Sequence, residues 1–118
     1  VLTSFDDQGW QEVGGHLPLQ EHVLELASLA KSSGVDGVVA SPKEAGSIRE
    51  MAGKDDFLIV TPGIRPSFAQ TDDQKRLSTP SQAFKDGSSM LVIGRPITQA
   101  IDPCAAARLI LKEIKENA

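Results

Sequence analysis

The sequence predicts a parallel α/β fold. Three observations carry that prediction: short apolar runs without alternation, amphipathic helical segments between them, and explicit helix start and stop signals. The runs lie at 37–40, 57–61 and 89–93. Strands covered by helices on both faces read as continuous apolar runs rather than alternating ones. Strand and helix in regular succession, joined by short links, give a parallel sheet.

The elements follow in order. The opening Val1-Leu-Thr-Ser4 reads as the end of a strand, with no initiator Met, as at a fragment boundary or a processed end. A short helix is expected around 7–13. In the next helix, 19–33, Leu19, Val23, Leu26 and Ala30 recur at three- and four-residue spacing as a core-facing stripe. A strand is expected at 36–40. Ser41-Pro42-Lys43-Glu44 then opens a helix over 42–52 with a capping serine, a proline at the first helical position and a glutamate that reaches back. A strand at 57–61 leads into a polar segment, 62–78, with no helical or strand period; loops of that length usually bind or cover something. Thr79-Pro80-Ser81-Gln82 repeats the capping pattern before a helix over 80–86. A last strand at 89–94 precedes Asp102-Pro103 and a helix over 103–116, whose stripe is Ala106, Leu109, Ile110 and Ile114. Gly34, Gly53 and Gly87 stand where helices stop in the left-handed conformation. Four parallel strands, near 1–4, 36–40, 57–61 and 89–94, are thus expected to form a curved open sheet with helices on its outer face.

Composition narrows the function. The chain has 118 residues, one domain's worth of sequence, with 40% hydrophobic and 24% charged residues. A net charge of −4 argues against a general nucleic-acid binder. The single cysteine, Cys104, forms no internal disulfide, which fits a reducing cytoplasm. No apolar run approaches the roughly 20 residues of a membrane span, and no secretory signal is expected. His16 and His22 stand at no metal-ligand spacing and read as a solvated face, so no metal is expected. Cys104 reads as a small buried thiol and Trp10 as a cover for one end of the core.

The candidate site lies just past the strand ends, where α/β folds place their ligands. Gly94-Arg95 is its sharpest part. Glycine admits close approach of backbone N–H groups to an anion, and a guanidinium forks onto two phosphate oxygens. An arginine on the rim, paired with a nearby carboxylate, is the competing reading. Pro62-Gly63-Ile64-Arg65 opens the long segment, and Gln74 within it offers an amide donor. Taken singly, the first is an ordinary Pro-Gly turn and the second a solvated residue; with Arg95 beside them, phosphate is favoured. Asp72 and Asp73 read as loop-capping or solvated rather than as an acid–base pair. Thr3 ends the first strand and offers a hydroxyl.

Val60-Thr-Pro-Gly-Ile-Arg65, Asp72-Asp-Gln74 and Ile93-Gly-Arg-Pro-Ile-Thr98 together resemble the second half of orotidine 5'-monophosphate decarboxylase, with support from Val1-Leu-Thr-Ser4 and Asp36-Gly-Val-Val39. The resemblance spans essentially the whole chain. It implies the C-terminal half of a (β/α)₈ TIM barrel, from a cytoplasmic homodimer that needs no cofactor or metal and converts orotidine monophosphate to UMP and carbon dioxide. By resemblance, Arg95 and the Gly94 backbone hold the 5'-phosphate, Arg65 adds a second cation, and Gln74 bridges phosphate and pyrimidine. Thr3 lies at the pyrimidine ring and Pro62 lines the pocket at the base of the loop. The family's catalytic Asp-x-Lys-x-x-Asp is missing: Asp73-Gln-Lys75 begins one, but Ser78 stands at the final position. No catalytic residue is therefore expected in this chain, and its partner would be the N-terminal half of the barrel. A non-catalytic phosphate-binding half-barrel and a related sugar-phosphate decarboxylase barrel are the alternatives, although Asp72-Asp-Gln74 favours the pyrimidine nucleotide.

Overall fold

The computed structural model describes residues 1–15, 18–54, 56–66 and 77–116. Among these, the elements run α1 (Asp7–Glu12), α2 (Leu19–Ser32), β1 (Gly37–Val39), α3 (Pro42–Ala52), β2 (Leu58–Thr61), α4 (Pro80–Lys85), β3 (Met90–Leu91), α5 (Arg95–Thr98) and α6 (Pro103–Glu116). The strands form one sheet in the order β1-β2-β3, and both pairs are parallel. Val38 lies opposite Ile59, and Val60 lies opposite both Val39 and Met90.

The helix signals act as their chemistry requires. The Ser41 hydroxyl accepts from the Lys43 N–H (3.2 Å), the Thr79 hydroxyl from Gln82 (3.3 Å), and the Asp102 carboxylate from Ala105 (3.0 Å). Each supplies an acceptor to a first-turn amide that has no partner within its helix. Gly34, Gly53 and Gly87 all take positive φ just past a helix end. The start of α2 has no capping side chain of its own; Asp7, twelve residues earlier, accepts from the Leu19 N–H at 2.8 Å. Arg49 ties α3 to the turn before β3. Its Nη2 donates to the Gly87 carbonyl (3.3 Å) and to the Ser89 hydroxyl (3.0 Å), which in turn accepts from the Ile59 N–H.

The core lies between the sheet and α2–α3. Leu19, Val23 and Ala27 of α2 meet Ala45, Ile48 and Ala52 of α3 and Ile59 of β2; Val1, Phe5 and Trp10 pack against this cluster. Because strand residues alternate between faces, Ile59 is fully buried (0%), whereas Val39 (57%) and Met90 (51%) lie exposed on the other side of the sheet.

Several expectations need correction. Three parallel strands are present among the described residues, not four. The Val1-Leu-Thr-Ser4 segment is not a strand: the Phe5 N–H donates back to the Leu2 carbonyl (3.3 Å) and closes a turn over 2–5, which folds the backbone back on itself where a strand would run extended. Leu26 and Leu109 are exposed rather than buried. Leu26 has the right direction but faces an apolar cleft along the edge of β1, lined also by Val1, Val23, Val38 and Ala40. Cys104 is exposed, not buried. His22 is half-buried, its ring packed against Trp10 at 5.1 Å; His16 lies outside the described residues. No described helix is long and apolar enough to cross a membrane.

The open sheet face carries Val39, Met90 and, beyond β3, Val92, all more than half exposed. Contiguous exposed apolar surface drives association. The isolated chain is therefore expected to sediment as an oligomer at micromolar concentration, and the Val39→Asp/Met90→Asp double variant to shift it towards monomer; a compact wild-type monomer would contradict this.

Candidate functional site

Two connections leave the sheet at one edge. Since β2 and β3 are parallel neighbours, their C-terminal ends coincide; the Val92 N–H donates to the Thr61 carbonyl at 2.9 Å just past the paired residues. From there the chain continues as 62–66 after β2 and as 92–95 after β3. Adjacent strands lie about 4.8 Å apart, so Pro62 and Arg65 share an edge with Gly94 and Arg95.

The first connection is tightly built. Gly63 has φ +73°, and a Cβ placed on it would meet the Thr3 Cγ2 at 2.5 Å, closer than real side chains come. Only glycine fits this backbone against this neighbour. Thr3 is itself 2% exposed. Ile64 and Pro66 are buried, and Pro62 and Arg65 are half-buried. The Arg65 Nη1 donates to the Ile64 carbonyl at 3.3 Å. Ser78 lies against this turn: Ile64 and Ser78 form an isolated parallel bridge, in which the Arg65 N–H donates to the Ser78 carbonyl (2.9 Å) and the Ser78 N–H to the Gly63 carbonyl (3.3 Å).

The second connection holds an element the sequence did not announce. Arg95–Thr98 is a single helical turn, α5, with Gly94 as its N-cap; the Ile97 and Thr98 N–H groups donate to the Gly94 carbonyl at 2.9 and 3.0 Å. Pro96 was the available signal, because proline favours the first helical turn. Arg95 is half-buried at the start of that turn.

Of the expected site residues, Thr3, Pro62 and Arg65 are thus gathered around one turn, and Gly94 and Arg95 lie past the adjacent strand. Gln74 falls outside the described residues, as do Asp72, Asp73 and Lys75. Thr61, at the very end of β2, is committed elsewhere: its hydroxyl pairs with that of Ser88 at 3.0 Å in the interior. The contribution of Ser78 was not legible, since a bridge between residues fourteen apart leaves no local mark. Neither 62–66 nor 92–98 contains Asp, Glu, Lys or His, while each contains one arginine. Each described connection thus offers a cation that suits holding an anion.

The fold and this edge define a parallel α/β protein whose strand-end loops carry the cationic groups. The family model for orotidine 5'-phosphate decarboxylase / HUMPS matches residues 1–110, and the chain belongs to that family. It is 58% identical over 114 residues to the orotidine 5'-phosphate decarboxylase of Geotalea daltonii, covering 97% of this chain and 47% of that relative. The corresponding protein of Geobacter sulfurreducens is 54% identical with the same coverage. Among solved structures, orotidine 5'-phosphate decarboxylase from Lactobacillus acidophilus superposes with a TM-score of 0.75 at 48% identity, covering 97% of this chain and 46% of that one. The chain spans about half the length of the relatives it matches.

The tight seat of Gly63 has a measurable consequence. Gly53 and Gly63 both have positive φ, but nothing lies within 4 Å of a Cβ on Gly53. Replacement by alanine at either position meets the strain of a positive φ, on the order of 1–3 kcal/mol; only Gly63→Ala also meets Thr3. Urea unfolding should show Gly63→Ala as clearly the more destabilised variant, and equal losses would show that the Thr3 contact does not constrain the turn.

Proposed function

We propose that this chain supplies the phosphate-holding part of an orotidine 5'-monophosphate decarboxylase, in which a (β/α)₈ barrel is completed by a segment that the relatives possess in addition. The observation that carries this reading is the 58% identity across nearly the whole chain to a decarboxylase of about twice its length. The two arginines at the common end of β2 and β3 support it, because phosphate sites in such barrels lie in the loops after the last strands. Arg95 and the Gly94 backbone grip the 5'-phosphate, Arg65 adds a second cation, and Gln74 reaches phosphate and pyrimidine. Thr3 meets the pyrimidine ring, and Pro62 lines the pocket at the base of the loop. The reaction releases carbon dioxide and gives UMP without a metal or cofactor, and the whole enzyme works as a homodimer in the cytoplasm.

Proton donation to the carbon that loses carbon dioxide needs a lysine held by carboxylates. This sequence contains no Asp-x-Lys-x-x-Asp, so that chemistry belongs to the completing segment. The purified chain is expected to give no decarboxylation above the uncatalysed rate. A chimera in which this chain replaces the matching segment of the Geotalea daltonii protein is expected to restore growth to a decarboxylase-deficient strain. Turnover by the chain alone, or an inactive but correctly folded chimera, would refute the assignment.

A phosphate monoester carries nearly two negative charges at neutral pH, and hydrogen bonds to charged groups are worth roughly 1.5–3 kcal/mol. In the chimera, Arg95→Ala should therefore weaken UMP binding about 10- to 150-fold while leaving uridine, which has no phosphate, nearly unaffected. Calorimetry with both ligands decides it: equal losses for uridine and UMP would make Arg95 a support of the fold.

A further inference from the structure

We infer that Ser78 is a positioning residue for Arg65, holding its backbone in place before any ligand arrives; this rests on the reading of Arg65 as a phosphate contact. Polar and without period, 62–78 reads from sequence as one long loop that would have to be ordered as a whole on binding. The geometry divides it differently. Arg65 donates its N–H to Ser78, and Ser78 donates its own to Gly63, so the chain on both sides of Ile64, up to the Arg65 amide, is tied to a single residue. Below the tie, Ile64 is fully buried and Gly63 is wedged on Thr3. Beyond it, Ser78 adjoins Thr79, the N-cap of α4, and Pro80 of that helix is buried. Three anchors thus converge on the turn: Thr3 beneath, the buried Ile64 within and α4 behind.

The physical consequence concerns where entropy is lost. Bringing together Ile64 and Ser78, fourteen positions apart, has a closure cost that grows only slowly with length. Here the Ile64–Ser78 bridge bears that cost in the fold itself. Arg65 then belongs to the pinned base, and its main chain needs no ordering when an anion binds, so the contact it makes is preorganised. The two ties run through the Ser78 main chain, not its hydroxyl, which donates to the neighbouring Thr79 carbonyl at 3.3 Å. Substitution by proline is therefore the informative change: it removes the N–H that bonds Gly63.

The test is a double-mutant cycle in the chimera, with Ser78→Pro, Arg65→Ala and both together, read by calorimetry with UMP and with uridine. Ser78→Pro is expected to weaken UMP binding roughly tenfold, to leave uridine binding unchanged, and to have no further effect once Arg65 is alanine. A merely structural role would weaken UMP to the same degree in both backgrounds, and that result overturns the inference. If Arg65→Ala alone leaves UMP binding intact, the reading of Arg65 as a phosphate contact fails and the inference fails with it. If Ser78→Pro does not fold, Gly63→Ala disturbs the same tie from the other side and is read by the same coupling to Arg65, with the same two results deciding.

Discussion

Parallel pairing of β2 with a strand on each side is the constraint on which the rest of the molecule depends. Val38 against Ile59 fixes one register, and Thr61 against Leu91 fixes the other. Parallel strands send their connections out at a common edge, so the registers decide which loops become neighbours. They bring the turn at 62–66 beside the one at 92–95, although the two are nearly thirty residues apart in sequence. The same alternation that buries Ile59 under α2 and α3 turns Val39 and Met90 to the opposite, open side. One geometric fact thus sets the core, the exposed apolar face and the cationic edge.

Support for that edge comes from interactions that contain no charged ligand contact at all. Arg49 is spent on the carbonyl of Gly87 and the hydroxyl of Ser89, at the end of the sheet away from the arginines of the edge. Ser89 passes the tie on to the Ile59 amide, so α3, β2 and the entry to β3 are joined through one hydroxyl. Thr61 and Ser88 close a buried hydroxyl pair beneath the sheet. Each satisfies polar groups whose burial without partners would cost about 1–3 kcal/mol. The result is a scaffold that fixes the strand ends, leaving Arg65 and Arg95 on connections whose main chain is already placed.

Much of the fold was legible in the sequence because its signals are local. A serine before Pro42, a threonine before Pro80 and an aspartate before Pro103 act within three residues, and glycines 34, 53 and 87 act at a single residue; all of them stand where they were read. Burial was less legible. Leu26 shares its helix face with Val23 but lies along the open cleft beside β1, and helical spacing reports direction without reporting what covers it. The segment at 1–4 looked like a strand since its residues suit one, yet a strand exists only with a neighbour in register. In the candidate site, the arginines stand out by residue type, whereas the seat of Gly63 on Thr3 and the bridge from Ile64 to Ser78 join residues distant in sequence and leave no pattern to read.

The central claim is that the arginines past β2 and β3 meet on one phosphate. A crystal structure of the chimera with UMP bound tests it most directly. Phosphate oxygens are expected within hydrogen-bond distance of both the Arg65 and Arg95 guanidinium groups, with the Ile64–Ser78 bridge intact. UMP phosphate held elsewhere in the barrel, with either arginine turned away from it, would contradict the account.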